Sequence, residues 1–151
     1  MGINTLGLSN MKESSSINET FKLAYKNHEE FFYKKAEDLY KKVLNINPNH
    51  FESIFLLGTL YAQIKRFNQA LKFLNRAKDM QPNNADVHNN LGGVLKELEN
   101  YEKAVTCYKK VIKINPSFVQ AYSNLGILFI QLGEFEKAIN FSEKATQINP
   151  K

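Results

Sequence analysis

The chain has 151 residues, of which 43% are hydrophobic and 23% are charged, an ordinary balance for a water-soluble protein. Its net charge of +5 is spread along the chain, which argues against a nucleic-acid binder, since such proteins gather their basic residues on one face. The single Cys107 excludes an internal disulfide, and no apolar run approaches the roughly 20 residues that span a bilayer. Together with the lack of a signal peptide, these features predict a cytoplasmic protein without nucleic-acid or membrane partners.

The first sixteen residues are polar and end in three consecutive serines. This composition predicts a disordered N-terminal tail over residues 1–16. Ser16 is followed three residues later by Glu19, the spacing of a capping box at the start of a helix. The first helix is therefore predicted to begin near residue 17.

All four prolines of the chain lie in copies of one short motif, and successive copies are 34 residues apart. The prolines are Pro48, Pro82, Pro116 and Pro150. A constant period in this range is the signature of a repeat protein. The period divides the chain into repeats at 17–50, 51–84, 85–118 and 119–151.

Each repeat contains two segments in which apolar residues recur at helical spacing. In the second repeat, Ile54, Leu57 and Tyr61 lie on one helical face, and a second amphipathic segment begins at Phe67. Nowhere does the sequence alternate in the manner of a strand. Each repeat is thus predicted to be a helix A, a short turn and a helix B, which the proline-bearing motif terminates. The predicted fold class is all-α, an α-solenoid of antiparallel helix pairs.

Small residues occupy two positions of every repeat. Position 8 holds Ala24, Gly58, Gly92 and Gly126, and position 20 holds Ala36, Ala70, Ala104 and Ala138. A glycine within a helix costs about 1 kcal/mol relative to alanine, so its recurrence needs a reason. We expect helices A and B to cross closely at these positions.

This pattern resembles the tetratricopeptide repeat family. That family's unit has the same length, with a leucine at position 7, a small residue at 8, alanine at 20 and proline at 32. The second repeat supplies Leu57, Gly58, Ala70 and Pro82 at these positions. The resemblance covers residues 17–151, and it implies a superhelical domain that serves as a non-catalytic scaffold for protein–protein interaction.

The resemblance also implies that a protein or peptide ligand binds in the concave groove, which helices A line in this family. Its binding positions correspond here to Glu52, Phe55, Thr59, Gln63, Asp86, Asn89, Asn90, Lys96, Glu97, Gln120, Ser123, Asn124, Ile127 and Gln131. Asn90 and Asn124 resemble the asparagine ladder of the O-linked N-acetylglucosamine transferase repeats, whose amides suit the backbone of an extended peptide. Chaperone-binding members carry basic residues at position 2, where this chain has Glu52, Asp86 and Gln120, so a clamp for a terminal carboxylate is not expected.

No cluster of residues suggests catalysis, and no cofactor or metal site is predicted. His28, His50 and His88 are far apart in the repeats, and Cys107 takes a position that phenylalanine fills in two other repeats. An alternative hypothesis makes the chain the N-terminal substrate-recruiting or assembly segment of a larger enzyme, such as a glycosyl- or sulfo-transferase. RNA binding of the helical-repeat kind would require recurring base-reading side chains, and the groove positions vary instead.

Self-association is expected through the fourth repeat. In a solenoid the apolar face of the last helix pair is covered by a following unit, and the sequence ends at Lys151. Helix A of this repeat also has four consecutive apolar residues, Ile127 to Ile130. Such a surface commonly marks an interface.

Overall fold

Eight α-helices and no strand make up the part of the chain that the structure describes. The structure is a computed structural model, which describes the backbone of residues 5–150 and the side chains of residues 14–150. The helices are α1 (Thr5–Glu29), α2 (Tyr33–Ile46), α3 (Phe51–Gln63), α4 (Phe67–Met80), α5 (Ala85–Glu97), α6 (Tyr101–Ile114), α7 (Val119–Gln131) and α8 (Phe135–Ile148). Odd-numbered helices are the predicted helices A and even-numbered ones the helices B, so the all-α prediction is confirmed.

The helices pack in chain order, and the short turns between them make neighbours antiparallel. Helices A of adjacent repeats also approach each other, with Cα atoms within 8 Å, whereas no such approach joins helices B of adjacent repeats in the described chain. The array therefore curves with helices A on its concave side. Each repeat contacts only its neighbours, as the predicted α-solenoid requires.

The small residues at position 8 lie where the two helices of a repeat cross. A Cβ atom added to Gly92 would lie 2.8 Å from Tyr108 Cε1, and one added to Gly126 would lie 2.7 Å from Ser142 Oγ. Both distances are shorter than real Cβ contacts, so an alanine at Gly92 or Gly126 would force the facing side chain or the helix to shift. The predicted close crossing is confirmed at this position.

The turn between helices A and B has a residue with left-handed backbone conformation at the same position of every repeat. The φ angles of Phe31, Lys65, Glu99 and Gly133 are 62°, 59°, 57° and 74°. The following residue donates its N–H five residues back, as Arg66 does to Tyr61 O at 2.8 Å, which is the Schellman arrangement that ends a helix. Three of these four residues are not glycine, so the sequence did not reveal this feature.

The proline-bearing motif ends helix B, as the sequence predicts. Helix α2 ends at Ile46, two residues before Pro48, and its last carbonyls accept bonds such as that from Asn47 N to Val43 O at 2.8 Å. Helix α3 then begins at Phe51, where the His50 side chain accepts a hydrogen bond from Ser53 N. Proline cannot continue helix B because it has no N–H.

Residues 5–16 are helical in the structure, whereas the sequence predicted disorder over residues 1–16. Helix α1 begins at Thr5 and continues to Glu29 without a break, and residues 1–4 lie outside the described residues. Ser16 is consequently inside the helix and is not its N-cap. Extending an existing helix requires no new nucleus, and no proline interrupts this segment, so composition alone was a poor guide.

The first repeat differs from the others in the exposure of its leucine at position 7. Leu57, Leu91 and Leu125, at position 7 of their repeats, are nearly fully buried, whereas Leu23 at the same position is 50% exposed. In the later repeats this residue lies between its own repeat and the preceding one. Among the described residues no repeat precedes α1, so one side of the Leu23 side chain is exposed to solvent.

Candidate functional site

A groove of about 400 Å³ lies on the concave side of the array, between helices α3, α5 and α7. Eight predicted groove residues line it: Thr59, Gln63, Asn89, Asn90, Lys96, Glu97, Gln120 and Asn124. The other six are not among its lining residues: Glu52, Phe55, Asp86, Ser123, Ile127 and Gln131. The structure thus brings together the members of the predicted set nearest the third repeat.

The six predicted residues that do not line this groove have varied surroundings. Phe55 stacks on Phe51, with ring centroids 6.1 Å apart, and packs against the core. Glu52, Asp86 and Gln131 are exposed. A role in ligand binding stays a prediction for these positions, as it does for the groove itself.

Side chains of adjacent helices A are joined by hydrogen bonds across the groove floor. Asn90 Nδ2 donates to Thr59 Oγ1 at 2.9 Å, and Asn124 Nδ2 donates to Asn89 Oδ1 at 3.2 Å. Thr59 Oγ1 donates its own proton to Phe55 O at 3.0 Å, so it can only accept from Asn90. This fixes the amide of Asn90 with its nitrogen toward Thr59 and leaves its carbonyl oxygen as the acceptor that a ligand could reach.

Tyr108 is a groove residue that the sequence analysis missed. It belongs to helix α6, yet it lines the groove because Gly92 and Gly93 leave room for its ring beneath helix α5. A Cβ added to Gly93 would lie 3.8 Å from the Tyr108 hydroxyl. Burial raises the pKa of Tyr108, so its hydroxyl keeps its proton at neutral pH and can act as a donor. The two consecutive glycines opposite an aromatic residue are the sequence feature that could have indicated this placement of Tyr108.

The groove carries one charge of each sign, both on helix α5. Lys96 Nζ lies 3.4 Å from Glu97 Oε1, and both side chains keep contact with solvent. The remaining lining side chains are uncharged amides, hydroxyls and apolar groups. Such a surface favours hydrogen bonding over the recognition of a strongly charged ligand.

Gln63, at one end of the groove, is fixed by a histidine of the first repeat. His28 Nε2 donates to Gln63 Oε1 at 2.7 Å, and the Tyr40 hydroxyl donates to His28 Nδ1 at 3.2 Å. These partners determine which ring nitrogen carries the proton. The contact connects helix α1 to the groove and orients the Gln63 amide.

The described residues contain no arrangement that suggests catalysis or metal binding. Within residues 14–150, no group of three or more His, Cys, Asp or Glu side chains is placed to hold a metal ion. Burial raises the pKa of Cys107, which keeps it a thiol rather than a reactive thiolate. His88 Nε2 donates to Pro82 O at 2.8 Å, a structural contact like that of the Tyr122 hydroxyl with Pro116 O. None of the described helices is long and apolar enough to cross a bilayer.

Family models match the chain over most of its length. A model described as "Tetratricopeptide repeat" matches residues 29–92, a second with that description matches residues 119–151, and one described as "TPR repeat" matches residues 92–133. No significant match was found among curated proteins.

Solved structures with the same architecture include MamA and YrrB. A crystal structure of MamA is 25% identical with a TM-score of 0.83, over 87% of this chain and 77% of the MamA chain. MamA from Desulfovibrio magneticus RS-1 is 21% identical with a TM-score of 0.84, over 87% and 75% of the two chains. YrrB, described as a TPR protein with an unusual peptide-binding site, is 23% identical with a TM-score of 0.81, over 91% and 71%.

Proposed function

The chain belongs to the tetratricopeptide repeat family, and on that premise we propose that it is a non-catalytic interaction scaffold that binds an extended peptide in its concave groove. The observation that carries this proposal is the polar groove, to which three successive repeats contribute side chains. The fold also occurs in YrrB, a TPR protein with an unusual peptide-binding site.

The groove suits the backbone of a peptide better than a particular side chain. The Asn90 and Asn124 nitrogens each donate one hydrogen, to Thr59 and Asn89 respectively, which orients the amides and leaves their oxygens to accept peptide N–H groups. Tyr108 adds a donor in the floor, which can serve a peptide carbonyl. Packed helices lie about 8–10 Å apart, and an extended chain rises about 3.3 Å per residue. The peptide would therefore advance about three residues per repeat.

A selection from a library of displayed random 12-residue peptides tests the proposal on the complete chain. We expect peptides selected on the unaltered protein to bind the Asn90→Ala/Asn124→Ala variant more weakly, by about two- to tenfold for each lost hydrogen bond. The matched control is Lys109→Ala, which alters an exposed residue of helix α6 that does not line the groove. Peptides that bind the double variant as well as the unaltered protein would contradict a concave site.

We also propose that the fourth repeat contacts a second copy of the chain. Ile130, Phe135 and Ile139 are 55%, 63% and 58% exposed and line one open concavity. In the second and third repeats, Leu71 and Val105 take the position of Ile139 and pack against the core. The first repeat offers a complementary apolar surface, where Leu23, Phe31 and Phe32 are exposed. Stacking of one end on the other would continue the solenoid from copy to copy.

Light scattering over a concentration series tests this association. We expect concentration-dependent oligomers that Ile139→Glu removes, because a charge in the contact would lose its hydration. Asn140→Glu places the same charge on the neighbouring exposed residue, outside the concavity, and should leave the oligomers unchanged. A monomer at every concentration, or oligomers that Ile139→Glu leaves intact, would refute the proposal.

A further inference from the structure

Two grooves between neighbouring helices B, on the convex side of the array, are filled by apolar residues. In the groove between α2 and α4, Phe73 and Leu44 pack against the same buried cluster, and the centroid of the Phe73 ring lies 5.6 Å from that of Tyr61. In the groove between α6 and α8, Phe141 stacks on Phe129 with centroids 5.5 Å apart, and Ile112 packs against the same core. The same two repeat positions supply the filling residues in both places.

The central groove, between α4 and α6, lacks this filling. Lys78 takes the position of Leu44 and Ile112, and Cys107 takes the position of the two phenylalanines. Beneath them Leu95 replaces the aromatic ring that Tyr61 and Phe129 provide in the other repeats. A cavity of about 660 Å³ opens here, lined by residues of α4, α5 and α6. This volume lies within the range of about 300–1,000 Å³ that is usual for small-molecule sites.

The cavity combines an apolar floor with an unbalanced positive rim. Leu91 and Leu95 form part of the floor and are nearly fully buried. Lys78, Lys103 and Lys110 contribute to the lining, which includes no acidic side chain. An apolar cavity with several cations at its edge is complementary to an amphipathic anion.

The contacts of the lysines leave that charge largely uncompensated. Lys110 Nζ donates to the neutral amide of Asn83 at 2.9 Å, and Lys78 Nζ donates to Asn75 Oδ1 at 3.1 Å. Among residues 14–150, the one carboxylate within 4 Å of Lys78 Nζ is that of Asp79, at 3.8 Å and outside the cavity lining. A ligand carboxylate would therefore find cations that neutral groups hold in place.

We propose that this outer groove binds a small aryl carboxylate, whose ring occupies the space that Phe73 and Phe141 fill in neighbouring repeats and whose anionic group lies among Lys78, Lys103 and Lys110. The site is on the convex side and is independent of the peptide groove. Its apolar part depends on Cys107 and its charged part on the lysines.

The probe is 3-phenylpropionate, and backbone NMR signals provide the readout. We expect 3-phenylpropionate to shift the backbone NMR signals of residues that line the cavity in α4 and α6. Neutral 3-phenylpropanamide should bind several-fold more weakly. Each of Lys78→Gln, Lys103→Gln and Lys110→Gln should weaken carboxylate binding by up to about fivefold and leave amide binding unchanged.

Cys107→Phe restores the residue of the neighbouring repeats and should abolish binding, observed through the NMR shifts. Cys107→Ala, which keeps the space open, should retain it. Lys109→Gln is the matched charge control, since this lysine is exposed on the same helix but outside the cavity. Unchanged binding to Cys107→Phe, equal binding of the amide and the carboxylate, or no shift of the signals from the cavity lining would overturn the proposal. The lysine variants keep the test valid should Cys107→Phe fail to fold.

Discussion

Asn90 Nδ2 donates a hydrogen bond to Thr59 Oγ1 at 2.9 Å, between the first helices of two successive repeats. Asn124 at the same position of the fourth repeat donates to a different position of the third, Asn89 Oδ1, at 3.2 Å. Asparagines that the sequence marks as ligand-binding residues therefore also join one repeat to the next. Stability and recognition are coupled in the groove floor, because a ligand meets amides whose orientation is already fixed.

The link between Thr59 and Asn90 should contribute measurably to stability. Thr59→Val and Asn90→Ala should show a coupling energy of about 0.5–1.5 kcal/mol in a double-mutant cycle, the usual net contribution of one hydrogen bond. Urea unfolding of the two single variants and the double variant measures it. Additive effects would indicate that the bond contributes nothing to the folded state.

Glu37 should make stability depend on acid pH. Burial of this carboxyl acts to raise its pKa, but hydrogen bonds from Lys41 and Tyr61 and the charges of Lys41 and Lys34 outweigh burial and hold the pKa below the usual 4.5. A depressed pKa stabilises the fold above the usual value, and this contribution is lost as the pH falls through the depressed value. Glu37→Gln should therefore destabilise the protein at neutral pH, and this loss should be smaller at an acid pH below the depressed pKa.

Urea unfolding at both pH values measures this difference. Glu136→Gln, an exposed residue of helix α8, is the control and should have little effect at either pH. A Glu37→Gln effect of equal size at both pH values would show that the carboxylate charge is not the source of the stabilisation.

Gly133 offers an isolated measurement of backbone strain. Its φ is 74°, and a Cβ added there would meet nothing within 4 Å, so Gly133→Ala adds strain without a steric clash. The variant should unfold about 1–2 kcal/mol more easily. Glu99→Gly, at the equivalent turn with a φ of 57°, should stabilise the protein by somewhat less, because glycine also makes the unfolded chain more flexible. Thermal unfolding measures both effects. If the two substitutions changed stability in the same direction, backbone strain at this position would not be the cause.

Ala104 should not tolerate a larger residue. Its side chain is fully buried, and it stands at the position of helix B where every repeat has alanine. Ala104→Leu should cost about 1–3 kcal/mol through overpacking. Lys109→Leu, on the exposed face of the same helix, is the control for the change in composition. A melting temperature of Ala104→Leu equal to that of the parent would show that the crossing has spare room.

The fold could be predicted closely from the sequence, and the candidate groove in part. The second amphipathic segment of the second repeat was expected to begin at Phe67 and to end at the motif of Pro82. Helix α4 spans Phe67–Met80, because its apolar stripe and the proline after it are local signals. The helical residues 5–16 were missed because their polar composition carries no such stripe. Tyr108 was missed because its ring lines the groove only where helix α5, which packs on it, has glycines in place of larger side chains.

The sequence by itself determined the 34-residue register, the two helices of each repeat and the small residues at their crossing. These features follow from local hydrogen bonding and from the spacing of apolar residues, which neighbouring positions of the chain encode. Only the tertiary structure decided that Asn90 pairs with Thr59 and Asn124 with Asn89, pairs that are 31 and 35 residues apart. It also decided that Cys107 borders an open cavity, because such contacts depend on the distances between helices and on the rotamers of side chains from different repeats.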